Sequence, residues 1–357
     1  MNAESFQIIF IYFLIHLNSF VSVAEITCRD DTGQPVDWFV VYKLPRSRVN
    51  QSTGTGLEYM YLDSSTEGWQ MSKHLVNMTK GAVGQTLEQL YRVYKSNDKN
   101  CVYFIYNDAA PEMKYDRYHG HAKGILLLDK TQGFWLIHSV PHFPPFPEQG
   151  YGWPSSARMF GQTLFCVTYK YSQFEEISKQ LFYENPHVYN LSLPDAFQPE
   201  LSFLQAIANG SCLTSPPWKR RTKLVSAGGQ QFQSFAKYKN FGEDIYAAWL
   251  AQALETDLLA ETWQRTKDAL PSNCSLPQHV YNILRIKLPG SVVFLSHSDH
   301  SKWCVSQDYS RQWTCIGDIN RTYGQMWRGG GLLCTLNPFI YKAFRHSVLL
   351  YRKCIDG

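Results

Sequence analysis

The sequence predicts a mixed α/β protein in which β-sheets are flanked by helices. Three observations lead to this prediction. Of the 357 residues, 44% are hydrophobic and only 18% are charged, so the chain can fill a large core. Short runs rich in aromatic and β-branched residues recur along the chain, as expected of buried strands. Between these runs lie segments whose apolar residues are three and four positions apart, as on one face of a helix.

Six apolar runs predict strands. Each of them contains aromatic or β-branched side chains, which favour an extended backbone. In chain order, the predicted strands are residues 38–42, 59–62, 102–106, 125–128, 134–137 and 164–169.

Residues 85–95 and 245–263 carry apolar residues at helical spacing, which predicts two helices. Residues 142–154 are rich in Pro, Gly and aromatic residues, and residues 213–223 combine two prolines with a run of Lys and Arg. Both segments are therefore predicted to be loops. We expect the chain to divide into two halves within residues 170–215, although no low-complexity linker marks the division.

The first 24 residues predict a cleaved signal peptide. Residues 6–17 form an apolar run that is too short to span a bilayer comfortably, and small residues ending at Ala24 follow it. No Lys or Arg precedes the run, so an uncleaved anchor is the alternative. No later segment reads as transmembrane, and we therefore expect no stable membrane association after cleavage.

Cysteines and glycosylation sequons indicate an oxidising compartment. The chain has nine cysteines, so at least one remains unpaired, and the residues alone do not determine the pairing. Asn-x-Ser/Thr sequons are typical of a glycoprotein of the secretory pathway when they accompany a leader. They occur at Asn50, Asn77, Asn190, Asn209, Asn273 and Asn320.

A short motif, His-x-Lys, occurs twice. His121 and Lys123 precede a predicted strand, and His300 and Lys302 follow 179 positions later. This spacing is close to half of the chain after the leader, so a two-fold structure would have one motif in each half. Residues two apart on a strand project to the same side, so the histidine and the lysine of each motif can face one phosphate group.

The two motifs have the chemistry for cleaving a phosphodiester without a metal. Imidazole can be the nucleophile in one copy and the proton donor in the other, because its pKa lies near physiological pH. Paired lysines can stabilise the negative charge that develops on phosphate, a task for which other nucleases use divalent cations. Four cationic groups packed together should lower the pKa of at least one histidine, which favours activity at acidic pH. The sequence therefore predicts no metal and no other cofactor.

Several other function classes are disfavoured. The formal charge of +4 permits a polyanionic partner, but the chain lacks the dense Lys/Arg tracts of a DNA-coating protein. It also lacks a Walker-type glycine loop, a Cys-x-x-Cys zinc spacing and a Gly-x-Ser-x-Gly elbow. Nucleotide hydrolysis, structural zinc and serine-esterase chemistry therefore lose support.

The sequence around the two motifs resembles the deoxyribonuclease II family, which is itself similar to the phospholipase D superfamily. Residues 271–283 lean towards the beta-type branch of the family. Four blocks around the motifs and four shorter words elsewhere carry the resemblance, and they span most of the chain after the leader. The blocks are residues 120–124 (GHAKG), 133–141 (GFWLIHSVP), 299–303 (DHSKW) and 315–321 (CIGDINR), and the words are residues 36–39, 42–45, 105–108 and 328–331.

The resemblance implies two pseudo-symmetric phospholipase D-like lobes, in residues 25–190 and 191–357, that form a clamp for double-stranded DNA. It also implies a lysosomal endonuclease, with secretion as a further fate, that leaves 3'-phosphate ends. Family disulfides would join Cys28 to Cys166, Cys274 to Cys354 and Cys315 to Cys334, which leaves Cys101, Cys212 and Cys304 over.

Carried over position by position, the resemblance makes His121, Lys123, His300 and Lys302 the catalytic residues. His121 is then the nucleophile that forms a phosphohistidine intermediate, and His300 protonates the 5'-oxygen leaving group. The reverse assignment of the two histidines is the alternative.

Two features depart from the superfamily pattern. The Asp expected five residues after each lysine is replaced by Leu128 and Gln307, with Asp129 and Asp308 one position later, so the role of that carboxylate is in doubt. Asn320 corresponds to the superfamily's phosphate-site Asn, yet it also begins a sequon, and the two roles exclude each other.

Two other functions remain open on the residues alone. The same chemistry can act on RNA or on phospholipid headgroups, or the chain can be an inactive glycoprotein that binds polyanions. Intact His and Lys in both motifs argue against the inactive form. In a chain with 15% aromatic residues, tryptophans are expected in the core rather than stacked on bases. This expectation applies to Trp135, Trp153, Trp303 and Trp327.

Overall fold

A computed structural model describes residues 25–49 and 54–354. The expected leader, residues 1–24, and the sequon at Asn50 lie outside the described residues. The described chain forms two large sheets and a small one made of β1 (Cys28–Arg29) and β2 (Pro35–Val36). With six helices packed around these sheets, the predicted mixed α/β class is confirmed.

The first large sheet contains eight strands, and all neighbouring strands in it are antiparallel. The strands are β3 (Trp38–Lys43), β4 (Tyr59–Asp63), β5 (Gln70–Met71), β6 (Val102–Asn107), β7 (Lys123–Leu128), β8 (Gln132–His138), β9 (Gln162–Lys170) and β10 (Val188–Ser192). Their order across the sheet is β10-β6-β7-β8-β9-β3-β4-β5. All six strands predicted from the sequence are confirmed here.

The second large sheet contains the remaining nine strands. They are β11 (Lys219–Val225), β12 (Gln231–Lys237), β13 (Leu258–Glu261), β14 (Val280–Leu288), β15 (Val292–Leu295), β16 (Trp303–Ser306), β17 (Thr314–Gly317), β18 (Gly330–Thr335) and β19 (Val348–Arg352). Their order is β11-β12-β18-β17-β16-β13-β14-β15, and β19 pairs with β14. The β13–β14 pair is parallel, and the other pairs are antiparallel.

The central strands of the two sheets follow the same order. β6, β7, β8 and β9 are successive antiparallel neighbours, and so are β13, β16, β17 and β18, with the β14–β15 hairpin inserted after β13. A helix follows the last strand of each set, α2 (Phe174–Glu184) after β9 and α6 (Pro338–Ser347) after β18. β7 and β16 therefore occupy corresponding positions, and each strand begins at or just after a His-x-Lys motif.

The other helices are α1 (Ala82–Ser96), α3 (Ser202–Ala208), α4 (Ala251–Leu254) and α5 (Tyr323–Met326). α1 confirms the helix expected at residues 85–95, and it buries Leu87 and Leu90 against the first sheet. It ends at Asn97, which adopts the left-handed conformation that commonly closes a helix.

Two predictions on secondary structure were wrong. The helix expected over residues 245–263 is a π-helical segment followed by α4, and it stops at Glu255, which has φ +53°. The chain then enters β13, because residues 258–260 pair with strands on both sides. The basic end of the loop expected at residues 213–223 is instead strand β11, which pairs with β12 over seven residues. As an edge strand, β11 can present its Lys and Arg side chains to solvent.

One hydrophobic cluster reaches from the first sheet into the second. It includes Val40 and Leu126 of the first sheet and Leu259, Trp303 and Val305 of the second. The two sheets therefore share buried apolar contacts, which hold them against each other.

Three disulfides are present, and they are the pairs implied by the family resemblance. Cys28 is bonded to Cys166, Cys274 to Cys354 and Cys315 to Cys334. Cys101, Cys212 and Cys304 have free thiols. Across residues 25–49 and 54–354, no helix has the length and hydropathy needed to cross a membrane.

Candidate active site

The two His-x-Lys motifs meet in one cleft. His121 and His300 both line an open cleft of about 610 Å³, although 179 positions separate them in the chain. Lys123 is the first residue of β7, and Lys302 immediately precedes β16. The motifs thus lie where the chain enters two corresponding strands, not within strands as the two-residue spacing had suggested.

Each histidine is held by a main-chain carbonyl from the opposite sheet. His121 Nδ1 bonds the oxygen of Asp318, which follows β17, and His300 Nδ1 lies 3.0 Å from the oxygen of Ser139, which follows β8. A carbonyl oxygen only accepts hydrogen bonds, so Nδ1 of each ring carries the proton. In the neutral rings, Nε2 is therefore the nitrogen with the free lone pair.

Asp108 pairs with two cations, Lys123 of the first motif and Arg328. Lys123 Nζ donates to Asp108 Oδ1, Arg328 Nη1 donates to Oδ2 at 3.0 Å, and His121 Nε2 lies 4.0 Å from Oδ2. Burial by itself raises the pKa of this carboxyl, but the charges of Lys123, His121 and Arg328 outweigh it and lower the pKa to about 2. Asp108 is therefore a carboxylate that compensates buried positive charge.

Sequence reasoning did not identify Asp108 or Arg328 as site residues. Asp108 follows β6, and pairing of Asn107 with Lys123 brings it beside the first motif. Both residues lie in short segments that resemble the family, 105–108 and 328–331, and this resemblance was the only feature of the sequence that could have pointed to them.

The second motif is supported by a different set of groups. Asp299 Oδ2 accepts hydrogen bonds from the hydroxyls of Tyr42 and Ser301, the latter at 2.6 Å. The ring of Trp263 packs edge-on against His300, with 4.8 Å between ring centroids. Lys302 Nζ donates to the main-chain oxygen of His300 and lies 3.1 Å from its Nδ1. Tyr42 belongs to β3, so the first sheet also supports the second motif.

Burial and the lysine charges lower the pKa values of both histidines and of Lys302. Desolvation is the largest cause for His121, followed by the charge of Lys123, and together they lower its pKa to about 3. The pKa values of His300 and Lys302 are also held well below their usual ranges, by desolvation first and then by neighbouring cations. Both imidazoles are therefore neutral at neutral pH when the cleft is empty.

Comparison with known proteins identifies the family of this site. The family described as "Deoxyribonuclease II" matches residues 27–354. The chain belongs to the deoxyribonuclease II family. Membership makes the chain a nuclease, that is, a phosphodiester hydrolase.

Relatives of several kinds align over nearly the whole chain. Human deoxyribonuclease-2-beta is 48% identical over 99% of both chains. Pig deoxyribonuclease-2-alpha is 44% identical over 94% of this chain and 92% of its own, and plancitoxin-1 of Acanthaster planci is 39% identical over 92% of each. A solved polyphosphate kinase from Porphyromonas gingivalis covers 62% of this chain and 31% of its own at 11% identity, but its TM-score of 0.29 is too low to inform the fold.

Two aspartates that follow the motifs do not take the place of the superfamily carboxylate. Asp129 Oδ1 accepts the N–H of Thr131 in a turn, and Asp308 Oδ1 accepts the N–H of Ser310 in another. For the first motif, the carboxylate that contacts the lysine is Asp108.

Asn320 lines the same cleft as the two histidines. Its side chain is buried, and Oδ1 accepts the N–H of Trp263 at 3.1 Å. Of the other sequons, Asn77 and Asn209 are exposed, whereas Asn190 and Asn273 are half-buried. Within residues 25–49 and 54–354, no group of three His, Cys, Asp or Glu side chains is arranged to hold a metal ion.

Proposed function

We propose that this chain is a metal-independent acid endonuclease that hydrolyses double-stranded DNA to 3'-phosphate ends. The observation that carries the proposal is that the histidines of the two His-x-Lys motifs line a single cleft, with both lysines buried near them. The names of the human and pig relatives describe deoxyribonucleases, which supports DNA as the substrate.

The histidine geometry supports a two-step displacement. His121 Nε2 attacks phosphorus and forms a P–N bond, while the bond to the 5'-oxygen breaks and His300 donates the proton that this oxygen takes up. Water then attacks the phosphohistidine, His300 accepts a proton from that water, and the P–N bond breaks to release the 3'-phosphate. The carbonyls that bond both Nδ1 atoms support Nε2 as the reacting atom of each ring.

The lysines supply the positive charge that the transition state requires. Lys123 and Lys302 are both buried beside the histidines, in a site whose low dielectric strengthens their attraction for phosphate oxygens. Asp108, which is itself bonded by Arg328, keeps Lys123 in place. We infer that these two ammonium groups replace divalent cations, and that Asn320 contributes a phosphate contact and carries no glycan.

We infer that the chain forms two pseudo-symmetric phospholipase D-like lobes that clamp the duplex. The repeated strand order and the reciprocal carbonyl contacts support this arrangement. The lobes correspond to residues 25–190 and 191–357, with β10 extending the first lobe to Ser192.

We propose a lysosomal location, with secretion as a further fate. The expected leader, three disulfides and exposed sequons at Asn77 and Asn209 support passage through an oxidising secretory compartment.

The experiment that tests the function compares three substrates at acidic pH: duplex DNA, RNA and phosphatidylcholine. We expect the purified protein to cleave duplex DNA, and His121→Ala or His300→Ala to abolish cleavage while the protein still folds and is secreted. Lipid cleavage without DNA nicking would reject the nuclease proposal. Full activity of either variant would remove that histidine from the mechanism.

A further inference from the structure

The cleft extends past the histidines to an exposed tryptophan. Trp135 and Trp303 are 3% and 0% exposed, as expected of core residues, whereas Trp327 is 53% exposed and that expectation was wrong for it. Trp327 lines the same cleft as His121 and His300. A large aromatic side chain left in water beside a catalytic cleft can offer its face to a flat ligand.

Two neighbours restrict the position of Trp327, Gly242 against its indole ring and Arg328 next to it in the chain. Gly242 lies so close to the indole that a Cβ added there would be 2.8 Å from a ring atom. The next residue, Arg328, donates to the main-chain oxygen of His119 at 2.8 Å and to Asp108 at 3.0 Å. The main chain that carries Trp327 is therefore tied to the carboxylate that holds Lys123.

The cleft that contains Trp327 is lined by charges of both signs, the cations Arg117 and Arg328 and the acid Asp268. Asp268 lines the same cleft, and its Oδ2 accepts the N–H of Gly324 at 3.1 Å. A carboxylate repels phosphate but accepts hydrogen bonds from the amino groups of bases. The phosphate thus belongs beside the lysines, whereas Trp327 and Asp268, which line the same cleft, offer a base a stacking face and a hydrogen-bond acceptor.

We propose that Trp327 is the floor of a nucleobase subsite, which receives one base next to the scissile phosphate. This inference rests on the proposed DNA hydrolysis and adds to it. In a duplex the faces of the bases are covered by their neighbours, so a base that stacks on Trp327 has been turned out of the helix. The subsite favours cutting where a base leaves the stack easily.

The test uses a short DNA duplex and the same duplex with tetrahydrofuran abasic positions along one strand. Stacking on a base predicts that Trp327→Ala lowers kcat/KM on normal DNA by roughly 5- to 100-fold. Trp327→Phe should retain most of the activity. On the abasic duplex, Trp327→Ala and the wild type should be equal. The matched control is Tyr309→Ala, because Tyr309 is 55% exposed but lies outside the residues that line the cleft.

The outcome is decided by the ratio of kcat/KM of the wild type to that of Trp327→Ala, measured on normal DNA and again on abasic DNA. An equal loss on normal and abasic DNA overturns the subsite, because Trp327 would then act on the phosphate or on folding. The absence of any loss on normal DNA overturns it as well. A wild-type protein that leaves normal DNA intact rejects the proposed function, and the subsite with it.

Discussion

At Asp108, one buried carboxylate compensates two buried cations. Lys123 and Arg328 donate to different oxygens of this group, and His121 Nε2 lies 4.0 Å from one of them. The cost of burying these charges is tolerated because they are paired and hydrogen-bonded. Asp108 therefore holds Lys123 and Arg328 beside His121.

Replacing Asp108 with Asn should destabilise the protein and inactivate it. The substitution leaves Lys123 and Arg328 without their common anion, and breaking such a buried pair costs about 3–5 kcal/mol. Denaturant unfolding and plasmid nicking measure the two effects. Asp308→Asn is the matched control, because Asp308 is exposed in a turn. Unchanged stability and activity of the Asp108 variant would contradict this account.

At the scale of residues, the sequence predicted the groups that recur and missed those that depend on strand register. His121, Lys123, His300 and Lys302 were found because one motif appears twice. Asp108 was not found, because it reaches Lys123 only through the pairing of β6 with β7. Register depends on which faces of the paired strands are buried and on the turns between them, so the spacing of the motif alone does not reveal it.

Among the elements, the start of β9 positions the second motif. Gly161 accepts the N–H of His300 at 2.8 Å, and its own N–H donates to Ser298. A Cβ at Gly161 would lie 2.3 Å from Asp299 Oδ1. Since Asp299 is fixed by Tyr42 and Ser301, this close approach requires glycine.

Gly161→Ala should displace His300 and lower kcat. The added methyl group pushes Asp299 and the residues that follow it away from β9, and a shift of about 1 Å in a catalytic group can reduce the rate about 100-fold. Steady-state cleavage of duplex DNA measures the loss. The control is Gly68→Ala, where a Cβ would meet no atom within 4 Å. Equal activity of both variants would argue against this role of Gly161.

Buried strands with strong β-propensity could be predicted from the sequence, and segments decided by tertiary pairing could not. Apolar spacing at residues 245–263 resembled one long helix, yet residues 258–260 pair with both β14 and β16. The basic run at residues 219–223 resembled a loop, yet it forms an edge strand. In both segments, sheet pairing overrode local preference.

Across the whole molecule, a buried carboxyl pair joins helix α2 to the second sheet. Glu184 ends α2, its side chain packs against Gly331, and the N–H of Gly331 donates to Asp318 at 3.0 Å. Burial raises the pKa of both carboxyls, that of Asp318 to about 7. Because the folded state binds protons more tightly at both groups, their contribution to stability is full below about pH 4 and is lost as the pH rises, through about 7 for Asp318.

Glu184→Gln should flatten the dependence of stability on pH. His121 and His300 act in the opposite sense, because their lowered pKa values favour the folded state above about pH 6.5. The test therefore compares the pH dependence of stability of the variant with that of the wild type, since the histidines contribute equally to both. We expect the wild type to lose more stability than the variant between pH 5 and 7.5 in thermal unfolding. Glu88→Gln, at an exposed position of α1, is the matched control, and identical slopes for all three proteins would refute the prediction.

The recurrence of the motif predicted two halves, but not the way in which they support each other. Each histidine is held by a carbonyl of the opposite sheet, from Asp318 and Ser139. Main-chain carbonyls belong to every residue, so sequence patterns do not identify which of them accept these bonds. The cleft consequently needs both sheets in place, and we expect neither half alone to cleave DNA.

The central claim is that the two His-x-Lys pairs form one catalytic centre acting on DNA. Nicking of supercoiled plasmid by the purified protein in excess EDTA, across pH 4 to 8, tests it most directly. We predict cleavage in EDTA that is confined to acidic pH, because the lowered pKa of His300 means that its protonated, proton-donating form is populated only in acid. Activity that appears only when magnesium is restored would contradict the claim.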